Sequence, residues 1–167
     1  MESGAFMDLD CGFVRGEKWF RYRAGAIIIE NGCILVARNE MDNYYYSIGG
    51  GVHLGETAED AVKREVLEET GVAYEIDRLA FIHENFFDGS DSLDGLDCHE
   101  ISFYFLMKPR GTQELHSHSF TDKGVPELMH WIPLEELQNY KAFPAFFKEK
   151  LMNLSNTVEH VVTNEKA

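Results

Sequence analysis

The sequence has few cysteines and prolines and no long apolar run. Its 167 residues include three Cys and four Pro. Cys11, Cys33 and Cys98 are odd in number and lack the paired spacing of a zinc site or a disulfide framework, which predicts reduced thiols. No stretch reaches the ~18 apolar residues that a membrane span needs, and the N-terminus shows no basic segment followed by an apolar one. These absences predict a cytoplasmic protein without a membrane partner.

Positive charge is also scarce. The chain has 15 Lys and Arg against 29 Asp and Glu, which gives a formal net charge of -14. Nucleic acids and anionic membranes are bound through dense basic patches, so we expect neither as a partner. A phosphate ligand would need a cation to offset repulsion from the acidic side chains.

The apolar content, 44% hydrophobic with 13% aromatic residues, is enough for one core. A single domain is predicted over residues 1–154, including an N-terminal β-hairpin at about 10–23, with a frayed tail over 155–167. Strands are predicted over residues 18–23, 24–30, 33–38, 74–86 and 100–108. The pair Asn31-Gly32 predicts a tight hairpin, and apolar residues at helical spacing predict a helix over 143–154. This mixed order predicts an α+β fold, with a mixed β-sheet sandwiched between helices (α/β/α).

The most informative segment is a predicted helix over residues 58–70. Thr57 is suited to the N-cap, and Gly71 to the left-handed position that ends a helix. Helical spacing places one apolar stripe against the sheet, formed by Ala58, Ala61, Val62 and Val66. Glu65 and Glu69 project into this stripe and Glu68 lies on its flank, so three carboxylates are expected to converge near the buried side.

Like charges at this spacing destabilise a helix, and burial adds to the penalty. Arg64 and Lys63 are too few to neutralise the three glutamates. A divalent cation that prefers oxygen ligands, Mg²⁺ or Mn²⁺, would do so. The alternative is an ordinary solvated helix face held by ion pairs between residues four apart.

The segment GGVHLGETAEDAVKREVLEETGV resembles the signature of the Nudix hydrolases. That signature is Gly, five residues, Glu, seven residues, then Arg-Glu-apolar-any-Glu-Glu-any-Gly-apolar. Its specified positions are filled without a gap by Gly50, Glu56, Arg64, Glu65, Val66, Glu68, Glu69, Gly71 and Val72. The resemblance extends over about residues 20–150. It departs at Ser47-Ile48, where many members have Leu-Pro before the glycines.

The resemblance implies hydrolysis of a nucleoside diphosphate linked to another moiety X, with Mg²⁺ or Mn²⁺ as the cofactor. It implies Glu65, Glu68 and Glu69 as metal ligands and Arg64 as the residue that orients them. Glu56 would be a further metal or water ligand, or purely structural. In addition, Gly50 and Gly51 would let the backbone turn beside the phosphates.

Other site residues are less constrained. The general base is a glutamate of the signature or a later one, with Glu100 and Glu127 as candidates. Arg23 and Arg38 would reach a phosphate, or are ordinary strand arginines. Tyr46, among three successive tyrosines, would stack on a base, although aromatic residues more often pack in a core.

The alternative function is a catalytically silent nucleotide-sensing or partner-binding module that keeps the Nudix fold. A Nudix-fold isomerase acting on isoprenyl diphosphates has less support, because no cysteine stands in an evident catalytic context. The expected partner is a small-molecule nucleotide, and the acidity favours this over capped RNA. A homodimer is an open alternative to a monomer, because relatives often dimerise.

Overall fold

A computed structural model of the protein describes residues 8–121 and 123–167. Its strands are β1 (Gly12–Arg15), β2 (Lys18–Ile27), β3 (Ile29–Glu30), β4 (Cys33–Asn39), β5 (Tyr45–Gly51), β6 (Ile76–Asp88), β7 (Asp97–Met107), β8 (Glu127–Pro133), β9 (Ala142–Phe143) and β10 (Glu159–Asn164). The α-helices are α1 (Ala58–Thr70) and α2 (Phe147–Lys150). Short 3₁₀ turns lie at Asp91–Leu93, Leu134–Asn139 and Leu151–Asn153. The predicted domain, residues 1–154, begins in residues that lie outside this description.

The strands form one mixed sheet in the order β10-β6-β7-β2-β5-β4-β3. Strand β2 lies parallel to β7 and antiparallel to β5, so it is the junction of the two halves. Strand β1 pairs with β2, β8 with β4, and β9 with β5. This register brings the glycines of β5 beside β2, where Gly25 faces Gly49 and Ala24 faces Gly50.

Each face of the sheet has its own apolar core. On one face, α1 buries Val62 and Val66 against strand residues that include Ile48 and Phe105. On the other face, α2 and its flanking turns bury Phe146 against Phe81 and neighbouring strand residues. Full burial of each such side chain contributes about 1.5–3 kcal/mol. The predicted α+β fold is confirmed, although the helical cover on the second face is short.

Local sequence signals fix both ends of α1. The Thr57 hydroxyl accepts a hydrogen bond from the Asp60 N–H at 3.1 Å, and Gly71 has a φ of 74°. A Cβ atom at Gly71 would lie 2.0 Å from the carbonyl oxygen of His116, so a side chain there is excluded on two grounds. The helix therefore has the predicted bounds.

The Asn31-Gly32 hairpin is also confirmed. Both residues have positive φ, 52° and 74°, as a two-residue turn of this twist requires. The hairpin joins β3 to β4, and the predicted strands 18–23 and 24–30 merge into β2 up to Ile27.

Two predictions for the C-terminal region are wrong. The single helix over 143–154 is replaced by β9, the short α2 and a 3₁₀ turn, because the residue before Pro144 disfavours helical backbone and Phe143 instead pairs with Tyr46. The tail over 155–167 is not frayed, since β10 pairs in parallel with β6. Its Val161 packs against the second core, as an alternating β-branched segment does in an edge strand.

No helix in the described part of the chain is long and apolar enough to cross a membrane.

Candidate active site

The site is built where the glycines of β5 meet the last two turns of α1. A Cβ atom at Gly50 would lie 2.4 Å from Oε1 of Glu65, so only glycine leaves room for that carboxylate against the strand. The N–H of Gly49 donates a hydrogen bond to Oε2 of Glu69 at 2.9 Å. The strand backbone thus receives two of the predicted metal ligands.

Arg64 joins the parts of the signature to one another. Its Nε and Nη2 donate to the two carboxylate oxygens of Glu56, each at 2.9 Å, and Nη1 donates to Glu65 at 2.7 Å. Nη2 also donates to the carbonyl of Gly51 at 3.1 Å. Bidentate geometry of this kind holds both partners firmly. Arg64 therefore links Glu56, Glu65 and the backbone of Gly51.

Glu56 is the main ion-pair partner of Arg64. The hydrogen bonds from Arg64 lower the pKa of Glu56 to about 2, with further help from the backbone N–H of His53. Both of its oxygens accept hydrogen bonds from Arg64. Of the roles open to Glu56 in the sequence, the contacts favour the structural one.

Glu69 is the most deeply buried of the three helix glutamates. Only 7% of the residue is exposed, and burial, then the charges of Glu127 and Glu65, raise its pKa well above the usual range. Burial also raises the pKa of Glu65, against the opposing effect of Arg64. Among residues 8–121 and 123–167, no Lys or Arg forms an ion pair with Glu69.

Glu68 differs from the other two glutamates. Its side chain is 58% exposed, and its contact with Arg64 is long, at 3.5 Å. It lies on the rim of the site, on the flank of the apolar stripe. Two of the three carboxylates, those of Glu65 and Glu69, therefore lie on the buried side of α1, and that of Glu68 lies at the solvent boundary.

The two candidate bases lie on opposite faces of the sheet. Residues two apart in a strand lie on the same face of the sheet. Glu127 therefore shares a face with Met129 and Trp131 of β8, which pack on the α1 side. By the same rule, Glu100 shares a face with Ser102 and Tyr104 of β7, and Tyr104 packs in the core on the other side of the sheet. Only Glu127 therefore shares a face with the carboxylates of α1.

The carboxylate of Glu100 forms an ion pair with Arg21. Arg21 donates from Nε at 2.8 Å and approaches with Nη2 at 2.6 Å, and the Ser102 hydroxyl donates at 3.3 Å. Burial opposes ionisation, but Arg21 and Arg23 together lower the pKa of Glu100 below its usual range. These contacts make Glu100 a buried ion-pair partner.

The predicted substrate-binding arginines both point away from α1. Arg23 is 7% exposed, and it donates to the Tyr104 hydroxyl at 3.1 Å and to the carbonyl of Ser47 at 2.9 Å. Arg38 donates to the carbonyl of Asp42 at 3.3 Å and lies over the ring of Tyr45. Arg23 thus braces β5 just before its glycines, at the position where Ser47 departs from the usual signature.

Tyr46 lies on the same side as Glu127. Its hydroxyl donates to Oε2 of Glu127 at 2.5 Å, and its ring meets that of Tyr44 edge-on.

The last of the predicted site residues is Gly51. It lies next to Asp10, whose Oδ2 would be 2.6 Å from a Cβ atom at that glycine. The structure therefore brings Glu65, Glu69, Glu127 and Tyr46 together, and leaves Glu100, Arg23 and Arg38 on the other face.

Two serines near the site were missed in the sequence. Ser117 donates to the backbone carbonyl of Glu69 at 2.5 Å, and Ser119 donates to Oε1 of Glu127 at 3.0 Å. Both lie in an irregular extended segment between β7 and β8, which no periodicity marks. Their spacing of two residues, which puts side chains of an extended chain on one side, was the available signal.

The donors suit a hard divalent cation. Glu65 and Glu69 present buried carboxylate oxygens, and a bound cation would offset the charge that burial penalises. Within the described residues, however, no three His, Cys, Asp or Glu side chains already stand together as a metal site. Arg64 already donates a hydrogen bond to Oε1 of Glu65, so a cation would have to share that carboxylate with Arg64.

Comparison with known proteins identifies the family. The family model described as NUDIX domain matches residues 19–153, well over half of the chain. This chain belongs to the Nudix hydrolase family.

Sequence and structure relatives agree with this membership. A MutT-like protein of Streptomyces ambofaciens is 35% identical over 99 residues, which cover 59% of this chain and 57% of that protein's length. The crystal structure of a MutT Nudix hydrolase from Burkholderia pseudomallei is similar with a TM-score of 0.53 at 26% identity, over 70% of this chain and 84% of that one. A MutT protein of Bacillus halodurans is similar in fold, with a TM-score of 0.63 at 15% identity over 86% and 90% of the two chains.

Proposed function

We propose that this protein hydrolyses a diphosphate bond in a nucleoside diphosphate derivative, with Mg²⁺ or Mn²⁺ as the cofactor. The carrying observation is the buried Glu69 carboxylate, which accepts a hydrogen bond from the N–H of Gly49 and, in the part of the chain that the structure describes, forms no ion pair with a Lys or Arg. Burial penalises the charged form of this carboxylate, and a bound divalent cation would offset that penalty as well as the negative charge of a diphosphate.

Each residue has a distinct role in the proposal. Glu65 and Glu69 would hold the cation from the buried side, and Glu68 would supply an oxygen from the exposed rim. When bound, the cation supplies positive charge against the diphosphate oxygens as negative charge develops on them. Arg64 and Glu56 keep Glu65 at the strand, and Glu127 accepts a proton from the attacking water as general base.

The choice of Glu127 over Glu100 rests on placement. Glu127 lies on the α1 face, and its charge acts on Glu69 more strongly than that of any other residue. Glu100 is held by Arg21 on the opposite face, and a proton acceptor there would be separated from the carboxylates of α1 by the sheet.

The substrate is proposed to be a small nucleotide in the cytoplasm rather than RNA. The net charge of -14 opposes contact with a polyanion, whereas a single diphosphate needs only the local cation. The signature keeps every specified carboxylate, which disfavours a catalytically silent module.

A substrate panel tests the proposal. The purified chain is incubated with Mg²⁺ or Mn²⁺ and with nucleoside triphosphates, nucleoside diphosphate sugars and dinucleoside polyphosphates, and phosphate products are measured. We expect turnover of at least one class, abolished by EDTA and restored by Mg²⁺. Binding of these nucleotides without product, at high protein concentration, would instead identify a silent module.

Matched variants separate chemistry from folding. Glu69→Gln should lower kcat by about 100-fold or more while the protein stays folded, because it removes an anionic ligand from the cation. Glu59→Gln, on the exposed first turn of the same helix, is the control and should keep the wild-type rate. Equal rates for the two variants would refute the role of Glu69.

A further inference from the structure

The carboxylate of Glu127 is held at both oxygens. Tyr46 donates its hydroxyl hydrogen to Oε2 at 2.5 Å, and Ser119 donates to Oε1 at 3.0 Å. Each carboxylate oxygen has two acceptor sites, so both keep one for water or a ligand. Two donors from different segments fix the plane of the carboxylate and leave one acceptor site free on each oxygen.

The donors come from elements that also touch Glu69. Tyr46 belongs to β5, three residues before Gly49, whose N–H donates to Glu69. Ser119 belongs to the segment in which Ser117 donates to the backbone carbonyl of Glu69 at 2.5 Å. The same two pieces of chain therefore contact both glutamates: β5 bonds the carboxylates of Glu69 and Glu127, and the segment of the two serines bonds the main-chain carbonyl of Glu69 and the carboxylate of Glu127.

Backbone hydrogen bonds hold the segment that carries the two serines at both of its ends. The N–H of Glu127 donates to the carbonyl of Ser119 at 2.9 Å, and the N–H of His116 donates to the carbonyl of Thr70 at 2.9 Å. The segment from His116 to Ser119 thus runs from the end of α1 to the start of β8, bonded at both ends.

We propose that Tyr46 is a positioning residue whose hydroxyl, together with that of Ser119, holds Glu127 beside Glu69 on the α1 face. This inference rests on the proposed function and specifies how its general base is oriented. It replaces the role of stacking on a nucleotide base, because the hydroxyl is engaged with Glu127 and the ring packs edge-on against Tyr44. Negative charges on Glu127 and Glu69 repel each other. The hydrogen bonds from Tyr46 and Ser119 hold Glu127 in place against that repulsion.

Removing only the hydroxyl separates the two roles. Tyr46→Phe keeps the ring, so a stacking residue would tolerate it, whereas a positioning residue would not. With the panel compound that turns over fastest, we expect kcat to fall by about tenfold and KM to change by less than about threefold. Tyr45→Phe is the matched control, since the adjacent side chain points to the other face of the sheet. It should keep wild-type kinetics.

A double-mutant cycle tests whether Tyr46 acts through Glu127. In a Glu127→Gln background, Tyr46→Phe should cause little further loss of kcat. Additive losses, or a wild-type kcat in Tyr46→Phe alone, would overturn the inference while wild-type turnover upholds the proposed function.

A structural measurement covers the case of an inactive wild type. Crystal structures of Tyr46→Phe and the wild type should differ in the Glu127 carboxylate, which rotates away from Glu69 when Oε2 loses its donor. An unchanged Glu127 would overturn the inference whatever the panel result. Thermal melting of both variants shows whether the fold is retained; equal kcat and KM losses in Tyr45→Phe would also overturn it.

Discussion

The carboxylate of Glu65 lies against the backbone of Gly50, at a distance that no side chain on residue 50 would permit. A Cβ atom there would be 2.4 Å from Oε1 and 2.5 Å from the carboxyl carbon of Glu65. This glycine therefore holds space for a carboxylate, which explains why the signature specifies a residue without a side chain fifteen positions before the glutamate.

Gly50→Ala should consequently impair activity more than folding. The atoms that must move are the flexible end of Glu65, so the added methyl group displaces the carboxylate and spares the backbone. We expect kcat to fall by about tenfold or more, with a change in unfolding free energy of about 1 kcal/mol or less. Steady-state kinetics and urea unfolding of the same preparation check this. A wild-type kcat would show that Glu65 is not needed at this strand.

The Arg64–Glu56 ion pair should make stability depend on pH in acid. Arg64 lowers the pKa of Glu56 to about 2 in the folded protein, whereas the unfolded value is near 4.5. The pair therefore stabilises the fold fully above pH 4.5 and loses its effect as the pH falls toward 2. We expect about 2 kcal/mol to be lost over this range.

Glu56→Gln should remove that dependence. Urea unfolding at pH 6 and at pH 3 should show a smaller difference for Glu56→Gln than for the wild type, because an amide does not titrate. Glu59→Gln, an exposed substitution close by, serves as the control and should follow the wild type. Identical pH slopes in all three proteins would contradict the assignment.

Substitutions of the two candidate bases, Glu127 and Glu100, should affect different quantities: the first should lower kcat and the second the free energy of unfolding. Glu127→Gln should lower kcat by about 100-fold with little loss of stability, because it removes a proton acceptor from the α1 face. Glu100→Gln should instead weaken folding by about 1–3 kcal/mol, because it leaves Arg21 without its buried partner. Kinetics and urea unfolding of both variants measure this. The opposite pattern would move the chemistry to the other face of the sheet.

Features with local signals were predictable from the sequence, and long-range ones were not. The caps Thr57 and Gly71 and the turn Asn31-Gly32 each depend on the backbone of a few neighbouring residues, so they identify α1 and a hairpin directly. The Tyr46–Glu127 hydrogen bond joins residues 81 apart. No periodicity encodes such a contact, because it depends on β4 lying between β5 and β8.

Face assignment explains the mixed outcome for the site. Glu65 and Glu69 share a helix, so their relation follows from helical spacing alone. The side of the sheet on which Arg23, Glu100 and Glu127 lie depends on the registers of β2, β7 and β8. A shift of one residue would reverse each of them, and the sequence carries no direct signal for register at those positions.

The C-terminal strand β10 lies beyond the residues matched by the family model, and its side chains should nonetheless contribute to stability. The Thr163 hydroxyl bonds Nε2 of His83 at 2.8 Å and Oδ1 of Asn85 at 2.7 Å. Burial lowers the pKa of His83 to about 4, so the ring is neutral at pH 7 and needs a neutral partner.

Thr163→Val keeps the shape of the side chain and removes both hydrogen bonds. We expect the free energy of unfolding to fall by about 1–2 kcal/mol, because a buried ring nitrogen of His83 loses its partner. Thr157→Val, at an exposed threonine between α2 and β10, is the matched control and should change stability by less than about 0.5 kcal/mol. Urea unfolding at pH 7 measures both. Equal stability of the two variants would mean that β10 is held by its backbone pairing with β6 and by Val161 alone.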